Sequence, residues 1–125
     1  MTTGLVLFAH GARDRRWREP FDQLLRLVSD RHRGPVTCAF LEFMSPDLPA
    51  ACRELAGAGA DRIVVVPLFL GTGGHLRTDL PALLAAAQQS AGIPVVGVTA
   101  AGEHPLVLGA LAEYCLASGS SQVGP

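Results

Sequence analysis

The sequence predicts an α/β fold: a single doubly wound domain whose four-stranded parallel sheet carries helices on both faces. Three observations carry that expectation. Short apolar runs alternate with stretches of helical periodicity, in the order β-α-β-α-β-α-β-α. The runs lack polar alternation, as strands buried on both faces do. The length, 125 residues, suits one domain with its own core. Right-handed crossovers make 2-1-3-4 the natural strand order. No tandem repeat and no internal domain boundary is visible.

Leu5-Val-Leu-Phe-Ala9 reads as the first strand. A helix is expected from about Trp17 to Arg31, with Trp17, Phe21, Leu24, Leu25 and Val28 on one face, and Gly34-Pro35 ends it. Val36 to Phe43 is the second strand. Ser45-Pro46-Asp47 opens a second helix with Leu48, Ala51, Cys52 and Leu55 inward, closed by Gly57 and Gly59. Arg62 to Leu70 is the third strand, Gly71 to Gly74 a glycine loop, and about Arg77 to Ser90 a third helix with Leu80, Leu83, Leu84 and Ala87 inward. Pro94 to Thr99 is the fourth strand. Pro105 suits the first turn of a last helix carrying Leu108, Leu111, Ala112 and Cys115. The folded domain is therefore placed at residues 1–117, and residues 118–125 are expected to be a flexible, frayed tail.

Composition narrows the function. The chain is 49% hydrophobic and 17% charged, with a formal net charge of −1, which excludes a disordered chain and a general nucleic-acid binder. No apolar run approaches the ~20 residues of a membrane span. Met1-Thr-Thr-Gly4 has no basic segment ahead of the first strand, so no signal peptide is expected. Cys38, Cys52 and Cys115 form no C-x-x-C pair, and all three read as small buried hydrophobes. A soluble cytoplasmic protein follows, with neither nucleic acid nor membrane as partner. The chain has no Lys, which removes Schiff-base chemistry and a P-loop lysine.

In such sheets ligands bind beyond the carboxyl ends of the strands, beside the first strand. There the order 2-1-3 gathers His10 from strand 1, Glu42 from the end of strand 2, and His75 delivered by the glycine loop. Two imidazoles and a carboxylate make a first shell for a borderline divalent metal, with open positions left for exchange. Each residue has an ordinary reading as well: a strand-end histidine held by a hydrogen bond, or a glutamate facing solvent or a helix dipole. Convergence is what points to a metal. Arg13, Arg15, Arg16 and Arg77 lie on the same edge, where guanidinium forks suit a polyanionic ligand, although a solvated surface explains each alone. Gly73 and Gly74 belong to a turn that lets His75 approach a ligand closely; the loop lacks the P-loop pattern. His32 suits a helix C-terminus, His104 is a capping or substrate-side candidate, and Trp17 and Phe21 read as core. No G-x-S-x-G elbow and no G-x-G-x-x-G is present.

These same residues carry a family resemblance. Leu5-Val-Leu-Phe-Ala-His-Gly-Ala-Arg-Asp14 resembles the opening of the class II tetrapyrrole chelatases, above all the small sirohydrochlorin chelatases of cobalamin and siroheme biosynthesis. Ala39-Phe-Leu-Glu-Phe43 resembles their second strand. Val65-Val-Pro-Leu-Phe-Leu-Gly-Thr-Gly-Gly-His-Leu-Arg-Thr-Asp-Leu-Pro81 resembles their third strand, glycine loop and helix start, and Gly102-Glu-His-Pro-Leu106 a late segment. The likeness runs from about residue 4 to 116. It implies insertion of a divalent metal (Co²⁺ or Fe²⁺, or Ni²⁺ in some members) into sirohydrochlorin or a related tetrapyrrole, with the metal as substrate and no organic cofactor. The family's metal-site histidines correspond to His10 and His75 and its carboxylate to Glu42, which implies both ligand and catalytic roles. Arg13, Arg15, Arg16 and Arg77, with Gly73 and Gly74, become candidates to hold the substrate.

Two departures stand out. Ala12 replaces the serine that often follows His-Gly, which removes a loop hydroxyl. The chain also supplies one lobe where many members have two, so it resembles the short form, a half-lobe that pairs as a homodimer. Two competing readings remain open. A metal or tetrapyrrole carrier on the same fold would share these residues. A histidine phosphatase would need Arg where Ala9 stands.

Overall fold

The computed structural model describes residues 1–71 and 73–121, with the side chains of His75 and Ser121 left out. Its elements are β1 (Thr3–Ala9), α1 (Glu19–Ser29), β2 (Val36–Phe40), α2 (Leu48–Gly57), β3 (Arg62–Pro67), α3 (Gly74–Ala91), β4 (Val95–Gly97) and α4 (Pro105–Ser121). Short 3-10 turns occupy Arg15–Arg18 and Ala101–Glu103. The sheet has four strands in the order β2-β1-β3-β4, all pairs parallel, as the crossover rule predicts. Leu7 sits between Cys38 and Val66 in the ladder, which makes β1 the central strand of the ligand edge.

Alternation along the strands sorts the core into two layers. Val6, Phe8, Ala39, Ile63, Val65 and Val95 face α2 and α3, which add Leu48, Ala51, Cys52, Leu55, Leu76 and Ala87. Leu7, Ala9, Cys38 and Phe40 face α1, whose Phe21, Leu24, Leu25 and Val28 pack on them together with Trp17. The helical stripes expected for α1 and α2 are therefore the ones that pack. Asp47 caps α2 by accepting from the Ala50 N–H at 2.9 Å. His32 anchors the turn after α1 through a 2.7 Å hydrogen bond between its Nε2 and the Thr3 carbonyl.

Several boundaries differ from expectation for identifiable reasons. α1 starts at Glu19 rather than Trp17, because Pro20 is accommodated only in the first turn. β2 stops at Phe40, so Glu42 lies in the bend beyond the strand, where Phe43 takes a left-handed φ of 67°. β3 stops at Pro67, which cannot donate to a ladder. α3 starts three residues early, at Gly74, so His75 stands in its first turn and not on a loop.

α4 departs most. It continues to Ser121, past Ser118 where the tail was expected to begin, and residues 122–125 lie outside the described residues. None of its described residues is buried, and Cys115, expected in the core, is exposed. The reason is placement: α4 leaves the end of the sheet without lying on it. Gly97 faces Leu84 of α3, so by alternation Val96 and Val98 face the opposite side, where they are about half exposed (45% and 47%). α1 covers the β1–β2 half of that side, and the β3–β4 half is left bare. Among the described residues no helix is long and apolar enough to cross a membrane.

Burial pushes the Cys52 thiol up to about 11, above the ordinary thiol value of about 8.5. Below the ordinary value both folded and unfolded thiols are protonated. Between the two values only the unfolded thiol ionises, which favours unfolding. The Tm of the wild-type chain is thus expected to fall more steeply from pH 9 to 11 than that of Cys52→Ala, in paired thermal melts. Parallel curves for the two would disprove the burial argument.

Candidate active site

The site begins with a close backbone approach. Beyond the last ladder pair, the Leu41 N–H donates to the Ala9 carbonyl at 2.9 Å and the Glu42 N–H to the His10 carbonyl at 3.0 Å. The β1–β2 pairing therefore runs two residues past the strands and sets His10 beside Glu42. Gly11 makes this approach feasible. Its φ is +86°, and a Cβ there would collide with the Glu42 carbonyl. On the other side of β1, the Leu68 N–H donates to the Phe8 carbonyl at 2.7 Å, which brings the β3 exit alongside.

His10 is exposed, its ring 4.4 Å from that of Phe69 between centroids. Phe69 is buried and meets Phe8 edge-on at 5.7 Å, so the exposed imidazole leans on a fixed aromatic wall. Beside it opens a groove of about 510 Å³, lined by His10 and Leu41 on one wall and by Gly73, Leu76, Asp79 and Leu83 of the α3 segment on the other. The lining is mostly apolar, in the size range of small-molecule sites, about 300–1,000 Å³. A flat, largely apolar ligand with a reactive centre near His10 fits this chemistry.

The expected site residues divide. His10 and Glu42 are neighbours through their backbones. His75 has its backbone in the first turn of α3, and its side chain lies outside the described residues. Among the described residues no three His, Cys, Asp or Glu side chains gather at metal-holding distance. Gly73 is the N-cap of α3 and Gly74 its first residue, so unbonded first-turn N–H groups and the positive end of the helix dipole face this edge.

The arginines line other ground. Arg13 stacks over Phe43 at 4.4 Å from the ring centroid. Arg16 pairs with Asp14 at 2.9 Å; its guanidinium and then its backbone N–H hold the Asp14 carboxyl below the usual carboxylate range. Arg15 is exposed in the turn before α1. Arg77 pairs with Glu103 at 3.1 Å and borders a second groove between α3 and β4. These are exposed surface pairs, readily exchanged for a ligand carboxylate. His104 serves as a cap, its Nδ1 accepting from the Leu106 N–H at 3.1 Å. Trp17 and Phe21 pack on each other at 4.6 Å within the α1 layer, as core residues do. Sequence reasoning missed Leu41, Leu76 and Asp79. The signal for Asp79 was available: an acidic residue one turn after His75 on an otherwise leucine-rich helix.

The CbiX family model matches residues 4–116. The chain belongs to the CbiX family. Among its relatives, a sirohydrochlorin cobaltochelatase of Saccharolobus solfataricus is 40% identical over 81 residues, 65% of this chain and 62% of that protein. Another, of Sulfurisphaera tokodaii, is 33% identical over 78 residues, 62% of this chain and 64% of that protein. The chain thus spans somewhat under two thirds of the length of these curated CbiX relatives. In the fold, a putative cobalamin biosynthesis CbiX protein of Marinobacter aquaeolei superposes with a TM-score of 0.86 at 28% identity, over 96% of this chain and 99% of the other. The sirohydrochlorin chelatase SirB of Bacillus subtilis subspecies spizizenii, solved with cobalt, gives a TM-score of 0.76 at 25% identity. That match covers 92% of this chain but 50% of SirB.

Because Gly11 has no room for a side chain, Gly11→Ala is expected to push Glu42 away from His10 and to lower stability by about 1–3 kcal/mol, the scale of local backbone strain. Urea denaturation measures the loss; an unchanged midpoint would show that the loop is not tightly held.

Proposed function

We propose that this CbiX-family chain is a chelatase that inserts a divalent metal, Co²⁺ or Fe²⁺ with Ni²⁺ as a further candidate, into sirohydrochlorin or a related metal-free tetrapyrrole. The observation that carries this reading is His10, set beside Glu42 at the mouth of an apolar groove. The names of the relatives, and cobalt on SirB, support it. The metal is a substrate, and the reaction calls for no organic cofactor.

Insertion replaces two pyrrolic N–H protons with one M²⁺. A productive site holds the metal weakly enough to release it, which few protein ligands and an open coordination sphere allow. In this reading His10, Glu42 and His75 are the metal ligands and the catalytic groups. His10 gives up the metal and then takes a proton, a role suited to imidazole near neutral pH. His75 shares the metal and Glu42 completes the shell or relays protons. The acidic substituents of the macrocycle meet the N–H groups of Gly73 and Gly74 at the α3 start and the guanidiniums of Arg13, Arg15, Arg16 and Arg77. The exposed ion pairs of Arg16 and Arg77 exchange onto substrate at little cost.

The proposed unit is residues 1–117, working as a half-lobe within a homodimer, in the cytoplasm. Three free thiols, two of them buried, suit a reducing compartment. A dimer is supported by two complementary features of one chain. The β3–β4 half of one sheet face is bare, with Val96 and Val98 outward. α4 presents Leu108, Leu111 and Leu116 with no described residue buried. Seating α4 of each copy on the bare face of the other covers both around a two-fold axis. The twofold greater length of SirB over the matched region points the same way.

Two measurements test these readings. In an anaerobic absorbance assay with sirohydrochlorin and Co²⁺, Fe²⁺ or Ni²⁺, the protein is expected to exceed the spontaneous rate. His10→Ala and His75→Ala are each expected to lose about 100-fold or more, the scale of a lost general base. Tight tetrapyrrole binding with no acceleration would instead indicate a carrier. Light scattering is expected to give a dimer, and Leu111→Asp a monomer, with Cys115 reacting faster toward a thiol reagent in the monomer. A monomeric, fully active wild-type chain would overturn the paired arrangement.

A further inference from the structure

α3 crosses the groove with one stripe of its surface, on which Leu76, Asp79 and Leu83 follow at spacings of three and four. Leu76 is buried and Leu83 half-buried, as a helix stripe lining an apolar groove should be. Asp79 breaks the pattern. Its carboxylate has no hydrogen bond or ion pair with any described residue. It stands in the second turn of the 18-residue helix, beyond the first-turn range in which the helix dipole favours an acid. Asp79 is exposed, and neither a described partner nor the helix terminus holds its carboxylate.

The groove gives it a task. On the chelatase reading, on which this inference rests, a flat macrocycle slides between the His10–Leu41 wall and the α3 wall. The ring then borders both His10 and Asp79. Each M²⁺ that enters breaks two N–H bonds, forms bonds to the ring nitrogens and frees two protons. An imidazole nitrogen that holds the metal has no lone pair for a proton until the metal departs, and a neutral imidazole accepts one proton at most. A carboxylate that holds no metal is free to accept the other proton while the ligands still bind the metal. We propose that the Asp79 carboxylate is that acceptor. As the metal leaves His10 for the ring, one N–H proton passes to His10 and the other to Asp79, each N–H electron pair staying on its nitrogen. Both protons then leave to water from groups that are themselves exposed.

Asp79→Asn keeps the shape and removes the basic oxygen; Asp79→Ala opens space for a small carboxylate. In steady-state assays with sirohydrochlorin and Co²⁺, Asp79→Asn is expected to lower kcat about 10-fold or more while KM for sirohydrochlorin holds. Asp79→Ala is expected to regain rate with added acetate or formate, and no comparable gain should appear in the wild type. Co²⁺ alone, titrated calorimetrically, should bind both variants as it binds the wild type, and their Tm should match it. Wild-type kcat in Asp79→Asn, with insertion intact, overturns the acceptor role and leaves the chelatase reading standing. Loss of Co²⁺ binding in the variant, or a rise in KM alone, also overturns it. Absence of insertion by the wild-type protein overturns the chelatase reading, and the acceptor role with it.

Discussion

The carboxyl edge of this sheet depends on one contact between backbones: Gly11 lying against the Glu42 carbonyl. A side chain at Gly11 would occupy the space of that carbonyl. With none there, the β1–β2 hydrogen bonding continues past the last formal pair, through Leu41 to Ala9 and Glu42 to His10. Position along a parallel ladder thereby becomes position in a site. His10 and Glu42 need no further device to be neighbours, and the bend after Phe40 can turn away without separating them. Phe69 then limits where the His10 ring can lie, because it is itself buried and braced by Phe8.

Around that edge the molecule is packed unevenly. α2 and α3 close one face of the sheet over all of its central strands, and their leucines, alanines and Cys52 form a sealed layer. The opposite face has a single helix, α1, and its side chains are only half-buried even where they pack. The vacancy beside α1 and the unburied apolar length of α4 are two sides of one deficit. Large exposed apolar patches mark a surface made for contact. In the proposed reading, function and assembly draw on different parts of the chain: the loops after β1, β2 and β3 for chemistry, and β4 and α4 for pairing.

The groove chemistry follows the same economy. Its walls are apolar, so a flat ligand gains from burial alone, at about 25 cal/mol per Å² of apolar surface removed from water. Polar groups are few and separated: an imidazole on one wall, a carboxylate on the other, helix N–H groups at one end. Arg13, Arg16 and Arg77 sit outside the walls, each with a local partner that a ligand carboxylate could replace. Such an arrangement suits the proposed substrate, apolar in the middle and charged at its rim.

The sequence by itself determined the element order, the parallel sheet, the strand order and the inward stripes of α1 and α2. These rest on local periodicity and on the handedness of crossovers, which need no long-range information. It also identified His10 and Glu42 as neighbours, since strand ends in a 2-1-3 sheet meet whatever the side chains do. Tertiary structure decided the rest. Pro20 and Pro67 trimmed elements whose apolar patterns ran further, and the first turn of α3 absorbed His75 because Gly73 could take the cap. Asp79 became a groove residue only when α3 turned that stripe toward His10. Cys115 shows the limit most plainly. Its spacing in α4 is that of a core residue, and periodicity reports which face of a helix is apolar. Whether that face meets its own sheet, a partner or water is set by where the chain leads the helix, and here it leads α4 off the sheet.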